Sequence, residues 1–325
     1  MRSKLRGITK PKLKGNTDFM SKVYSYSFMQ GDVRGDMFYI KHNNDSFTVI
    51  DCNLADGREE EILKTITQEA NGKTIKRFIS THPDRDHILG LEKLVKVLDL
   101  PTTNFYAVRN EIPAEKDNPS LDKYLSLMNA DTSASIKAGL DRDFLNQDKS
   151  GKGIGSSGIK FYWPDLDNPE FIKALETVKN GGKANNISPI ILYHTDKAKI
   201  LWMGDMEEGM QKEFYKHHKG EIGKVNILFA PHHGRESGQV PTDFLAELNP
   251  DIVVVGNAPA ENLETSYKHY GNERTITQNS ANDILFDCHD SQIDVYTGKD
   301  CDNLPKALKK NPSITGVCYR GSINI

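Results

Sequence analysis

The sequence predicts an α/β protein built as a four-layer αββα sandwich, two sheets packed face to face with helices outside. Two observations predict it. Short apolar strands alternate with helix-like segments in both halves of the 325-residue chain, and the second half follows the same strand, turn, strand, helix, strand plan without a sequence repeat. In addition, four of the strands run straight into acid or imidazole residues, which this architecture gathers along one edge.

The elements follow in order. Strand-like segments at 23–29, 37–42 and 47–50 are separated by Gly31-Asp32, Gly35-Asp36 and Asn43-Asn44-Asp45, the turn chemistry of an antiparallel meander. Residues 55–70 read as a helix closed by Asn71-Gly72. An apolar strand at 75–80 leads through a polar loop into an amphipathic helix at 88–95. After a strand at 104–108 comes a long irregular stretch, 111–158, expected as an insertion or lid; it holds a helix at 121–128 and the Gly-Ser tract 150–158. Strands at 158–163, 190–193, 200–203, 225–230, 252–255, 284–287 and 292–297 make the second half. Near the end, Pro305 and Pro312 bracket a short basic helix. The chain is thus expected as a basic arm at 1–20, one domain at 21–300 and a C-terminal extension at 301–325.

The stretch Ser80-Thr81-His82-Pro83-Asp84-Arg85-Asp86-His87 packs two imidazoles and two carboxylates into six positions of a strand-to-helix loop, the outline of a metal site. On its own it could be a solvated turn with Asp86 as a helix cap. Matching pieces elsewhere argue for the metal site: Asp51 ends one strand, Gly204-Asp205 ends a second, and Pro231-His232-His233-Gly234 ends a third.

This series resembles the metallo-β-lactamase fold over roughly residues 20 to 300. The widespread motif of that fold has His, any residue, His, any residue, Asp, His, and here Asp84 stands for the second His. The same departure, His-Pro-Asp-x-Asp-His followed downstream by Pro-His-His-Gly, is similar to the soluble hydrolase domain of ComEC-type competence proteins. That branch also has an Asn-x-Ser stretch where other members place a further metal-binding His, and Asn186-Ile187-Ser188 lies in the corresponding place. His194, at a hairpin turn with Asp196 and Lys197, reads as surface. The resemblance implies a hydrolase holding two divalent metal ions.

Ligand type then suggests roles. His82 and Asp84 would hold one cation, Asp86, His87 and His232 a second, and Asp205 would bridge them, with Asp51 orienting a ligand from behind. Which of His232 and His233 binds metal stays open, as does a catalytic part for His233 as proton donor to the leaving oxygen. Asp86 and Asp51 complete the catalytic set. A site this rich in oxygen leans toward manganese or magnesium, with zinc still open. Two such ions supply a bound hydroxide and steady both oxygens of a displacement, the requirement of phosphoryl transfer. Arg235 and Ser237, following the His-His-Gly turn, are candidates for substrate phosphate contacts. In similar proteins Ser directly follows the Gly, and Arg235 takes its place here.

Three functions follow. A phosphodiesterase or nuclease acting on nucleic acid or nucleotides is favoured; an acyl hydrolase of lactonase, thioesterase or β-lactamase type is the alternative. The third is a non-enzymatic or partner-activated component of a multigene system, with an activating protein partner. Composition bears on the rest. A net charge of −3 predicts no general attraction to nucleic acid, although Arg2, Lys4, Arg6, Lys10, Lys12 and Lys14 form a basic arm without an acid among the first 14 residues. Cys52, Cys288, Cys301 and Cys318 make no short-spaced pair, nothing resembles a secretory segment, and no apolar run approaches the roughly 20 residues of a membrane span. A cytoplasmic protein without membrane insertion is the expectation.

Overall fold

Strands whose side chains alternate between two apolar surroundings organise the chain. The computed structural model describes residues 21–28, 34–55, 57–140, 157–195, 197–301, 304–312, 314 and 318–325. The basic arm, Gly31-Asp32, Asp196 and most of the Gly-Ser tract lie outside the described residues.

The first half contributes β1 (Ser21–Ser25), β2 (Phe38–Lys41), β3 (Ser46–Ile50), β4 (Cys52–Asn53), β5 (Ile75–Ile79), β6 (Phe105–Ala107) and β7 (Ala134–Ser135). The second contributes β8 (Ile159–Trp163), β9 (Ile190–His194), β10 (Lys199–Trp202), β11 (Ile227–Phe229), β12 (Ile252–Val255), β13 (Thr275–Thr277), β14 (Ile284–Cys288), β15 (Gln292–Thr297) and β16 (Tyr319–Asn324). A nine-stranded sheet runs β16-β15-β14-β1-β2-β3-β5-β6-β7, and a six-stranded sheet runs β13-β12-β11-β10-β9-β8. The expected meander is present, since β1, β2 and β3 pair antiparallel in sequence. Where helices intervene the pairing turns parallel, as in β3 with β5 and β10 with β11.

Alternation explains the layers. Val23, Phe38, Ile40, Ile50 and Ile79 point from the nine-stranded sheet into a core shared with Trp202, Phe229 and Val254 of the six-stranded one. Their neighbours Tyr24, Tyr39, Phe47, Val49 and Phe78 face the other way, into a second core. There they meet α1 (Glu59–Ala70) through Ile62 and Ile66, and, beyond α2 (Arg85–Ile88), α3 (Leu91–Leu98) and α4 (Pro119–Met128) through Leu94, Leu98, Tyr124 and Leu127. The outer side of the six-stranded sheet is covered by α5 (Pro169–Lys179), α6 (Glu208–His218) and α7 (Thr242–Leu248), which bury Phe171, Phe214 and Phe244. Between the sheets Phe38 lies 4.7 Å from Phe229, which stacks on Trp202 at 5.1 Å. The four layers are those expected from the sequence. Further along lie α8 (Ala260–Tyr270) and α9 (Gln278–Ala281).

Three local expectations change. The single helix at 88–95 is two, α2 and α3, broken at Gly90 with φ +80; a Cβ there would come within 2.7 Å of Leu54, so the chain bends where it presses on that residue. Residues 119–128 and 134–135, inside the stretch expected as an insertion or lid, are built into the second core and the sheet edge. The short basic helix between Pro305 and Pro312 is absent; instead Lys309 bridges Ser322 of β16, and β16 closes the nine-stranded sheet. Pairing with an open sheet edge satisfies backbone groups that one helical turn would leave unbonded. Among the described residues no helix is long and apolar enough to cross a membrane.

Candidate metal centre

Parallel pairing aligns strand ends, and the polar residues sit at those ends. In the nine-stranded sheet Asp51 follows β3 and His82 follows β5; in the six-stranded sheet Asp205 follows β10 and His232-His233 follow β11. Three of these residues are held in left-handed backbone: Asp51 at φ 56, His232 at φ 52 and His233 at φ 55. Such a conformation costs on the order of 1–3 kcal/mol per residue and persists only where surrounding structure imposes it, a recurrent property of functional loops. Gly204 shows how tightly the sheets meet. At φ +51, a Cβ on it would come 2.7 Å from Ser188 Oγ and 2.8 Å from Thr81 Cβ.

Two carboxylate–imidazole couples converge on Asp205. His87 Nδ1 lies 2.8 Å from Asp51 Oδ2, which turns His87 Nε2 to within 3.2 Å of Asp205 Oδ1. His233 Nδ1 lies 3.3 Å from Asp36 Oδ1, and His233 Nε2 is 3.5 Å from Asp205 Oδ2 and 3.4 Å from Asp86 Oδ2. The imidazole of His82 is next in the row, its ring centroid 4.1 Å from that of His87, with Nε2 3.7 Å from Asp84 Oδ2. Buried polar atoms normally find hydrogen-bond partners. Here His82 Nε2, His87 Nε2, His233 Nε2 and Asp205 Oδ1 are all buried and have none, although they face one another. Buried nitrogen and carboxylate atoms without hydrogen-bond partners suit a cation, and the ligand atoms of Asp36, His87, Asp205 and His233 lie within 4.8 Å of one another. The cluster is able to hold a metal ion.

Charge follows the same geometry. Burial pushes His87 and His233 toward neutrality, but Asp205, with Asp51 beside the first and Asp36 beside the second, overrides it and holds both well above the ordinary histidine range. Conversely, burial would raise Asp205, and His233 and His87 pull it well below the usual carboxylate range. Burial opposes ionisation of Asp86 and Asp84 as well, yet His233 and His87 for the first and His82 for the second keep both low. Metal-free, the site is a compensated lattice of imidazolium and carboxylate.

The structure thus brings together His82, Asp84, Asp86, His87 and Asp205, with Asp51 behind His87. Of the adjacent pair, His233 belongs to the group of converging donors, with Nε2 3.5 Å from Asp205 Oδ2, and His232 Nε2 lies 3.7 Å from the same oxygen. His232 Nδ1 lies 2.9 Å from Ser237 Oγ and Nε2 lies 3.2 Å from Arg235 Nη1. Because a guanidinium only donates, Nε2 accepts and the Nδ1 hydrogen goes to Ser237. Burial, the foremost cause, holds His232 below its usual range, consistent with a neutral ring. Asp36 was missed, since Gly35-Asp36 read only as a turn between strands; a side chain at the entry to a meander strand reaches the site solely through tertiary packing. The Asn186-Ile187-Ser188 stretch contributes support: Ser188 Oγ accepts from the Asp205 amide at 3.2 Å, and Asn186 bonds Glu207.

No protein-family model matches the chain, and no curated protein matches it. Solved structures do. CmlA, a diiron β-hydroxylase from Streptomyces venezuelae, aligns at 12% identity and TM-score 0.41 over 79% of this chain and 52% of its own, so the chain spans about half of that protein. A protein of Thermotoga maritima assigned to the metallo-β-lactamases aligns at 15% identity and TM-score 0.31, over 58% of this chain and 80% of its own. A long-form RNase Z from yeast aligns at 12% identity and TM-score 0.38, over 76% of this chain and 38% of its own. These neighbours are metallo-β-lactamase-fold proteins. Likenesses so distant carry nothing about chemistry, which rests on the geometry above.

Proposed function

We propose that this protein is a metal-dependent hydrolase, and specifically a phosphodiesterase or nuclease acting on nucleic acid or nucleotides. The observation that carries the reading is the set of buried ligand atoms without hydrogen-bond partners on His82, His87, His233 and Asp205, hemmed in by the carboxylates of Asp84, Asp86 and Asp36. In it His82 and Asp84 would hold one cation and Asp86, His87 and His233 a second, with Asp205 a ligand available to both. Half of these ligands are carboxylates, so manganese or magnesium suit the site alongside zinc.

When bound, a pair of divalent ions supplies Lewis acidity and a water acidic enough to attack near neutral pH. The protein does the rest. Asp51 and Asp36 fix the His87 and His233 rings, Ser188 fixes the Asp205 turn, and Arg235, anchored through one nitrogen on His232, offers its other N–H groups to an anionic substrate. Ser237 bonds the other nitrogen of the same ring.

The test is hydrolysis of bis-para-nitrophenyl phosphate with manganese, magnesium or zinc, beside para-nitrophenyl acetate as an ester probe. Metal-dependent diester cleavage that disappears in Asp86→Ala is the expected result. Ester cleavage alone would replace the reading by an acyl hydrolase. Silence on both with metal demonstrably bound would point to a protein switched on by a partner.

A further inference from the structure

We infer that Asp36 is a positioning residue of the metal centre, holding the His233 ring so that its Nε2 faces Asp205 and Asp86. Asp36 Oδ1 lies 3.3 Å from His233 Nδ1, matching on one flank of Asp205 what Asp51 does at 2.8 Å for His87 on the other. Each couple directs one Nε2 at a different oxygen of Asp205, Oδ1 from His87 and Oδ2 from His233. An acceptor on Nδ1 leaves the ring's single hydrogen there and keeps Nε2 free to coordinate.

The segment bearing Asp36 is built to stay in place. The Asp36 amide donates to the Asp86 carbonyl at 3.2 Å, and Asn53 Nδ2 donates to the Arg34 carbonyl at 2.7 Å. Gly35, at φ +141, lies so close to the loop that a Cβ would fall 1.8 Å from Asn53 Nδ2 and 2.4 Å from the Asp86 oxygen. The entry to β2 is therefore pinned to the loop that carries Asp86 and His87. One carboxylate from the N-terminal meander thereby links a histidine of the six-stranded sheet to the metal loop of the nine-stranded one.

The inference rests on reading the cluster as a metal centre, not on the substrate, so a protein that binds metal but cleaves no diester leaves it standing. The experiment titrates manganese and zinc against a chromophoric chelator for wild type, Asp36→Ala, His233→Ala and the double variant, with metal-free melting temperature alongside. Asp36→Ala is expected to weaken metal binding about 10–100-fold, the usual cost of losing a partner behind a ligating histidine. In the His233→Ala background the same change should cost less than about threefold, since the two act through one ring. If Asp36→Ala does not fold, Asp36→Asn, which keeps an acceptor oxygen without the charge, takes its place with the same cycle. Unchanged affinity with a lowered melting temperature would overturn the inference as merely structural. An undiminished loss in the His233→Ala background would overturn it in favour of Asp36 binding metal directly.

Discussion

Replacing Asp51 by Asn should disable two histidines through one atom change. Asp51 Oδ1 accepts from the Thr81 amide at 2.7 Å, while Oδ2 accepts from Thr81 Oγ1 at 2.6 Å and from His87 Nδ1 at 2.8 Å. Thr81 therefore spends its hydroxyl hydrogen on Asp51. At 3.0 Å from His82 Nδ1 the same oxygen can only accept, so His82 also carries its hydrogen on Nδ1 and leaves Nε2 bare. In Asp51→Asn the new side-chain carbonyl would keep the Thr81 amide and the new NH2 would stand where Oδ2 was. That NH2 donates to His87 Nδ1 or to Thr81, and a Thr81 hydroxyl thus released donates to His82 Nδ1, moving the ring hydrogens to Nε2, where metal should bind. Each misplaced ring should cost about 10–100-fold in metal affinity, and together about 10²–10⁴, or roughly 2.7–5.5 kcal/mol. Thr81→Val cuts only the relay to His82 and should cost about 10–100-fold. Chelator competition on protein whose metal-free fold is checked by circular dichroism measures both. Affinity of Asp51→Asn within about threefold of wild type, or Thr81→Val matching its full loss, would refute the proton arrangement.

Other consequences follow from the same structure. Because neighbouring carboxylates favour the protonated forms of His87 and His233 against the pull of burial, metal uptake should expel protons; affinity should rise with pH, and calorimetry in buffers of different ionisation enthalpy should find proton release. Their sign for metal-free stability is the reverse: stabilisation fully present below the ordinary histidine pKa of about 6.5 is lost as pH rises through their folded values. His42 acts oppositely, since burial, then Arg77 and Lys73, hold it well below the usual range. The unfolded chain takes up a proton that the folded ring refuses, so stability falls as pH drops below about 6.5, and His42→Asn should flatten that fall by up to about 1.4 kcal/mol per pH unit in urea titrations. An unchanged slope would remove His42 as the cause. Phe229→Ala, emptying the space beside Phe38, Trp202 and Phe286, should lower unfolding free energy by about 3–5 kcal/mol; a loss under about 1.5 kcal/mol would mean that the sheets close over the gap.

Much of this was legible because it is local. Period-two alternation through Phe38-Tyr39-Ile40 and Phe78-Ile79 marks strands buried on both faces, so two cores and helical covering layers follow from pattern alone. The donors His82, Asp84, Asp86 and His87 stand in one loop and could be read directly, and Asp51 and Asp205 betrayed themselves by ending strands. The helix break at Gly90 was not legible: it answers to Leu54, a neighbour in space rather than in sequence. Nor was the strand at 319–324, whose partner in pairing is the edge presented by β15.

By itself the sequence determined the residue types, the strand and helix periods and hence the layering, because these depend on neighbours a few positions apart. Only the tertiary structure gave His232 and His233 their different partners and brought in Asp36. Adjacent residues in left-handed backbone give their rings different partners: His232 meets Arg235 and Ser237 with its Nε2 3.7 Å from Asp205, and His233 meets Asp36 and Asp86 with its Nε2 3.5 Å from Asp205. The contact from Asp36 to His233 spans 197 positions of chain, a distance across which no local pattern carries information.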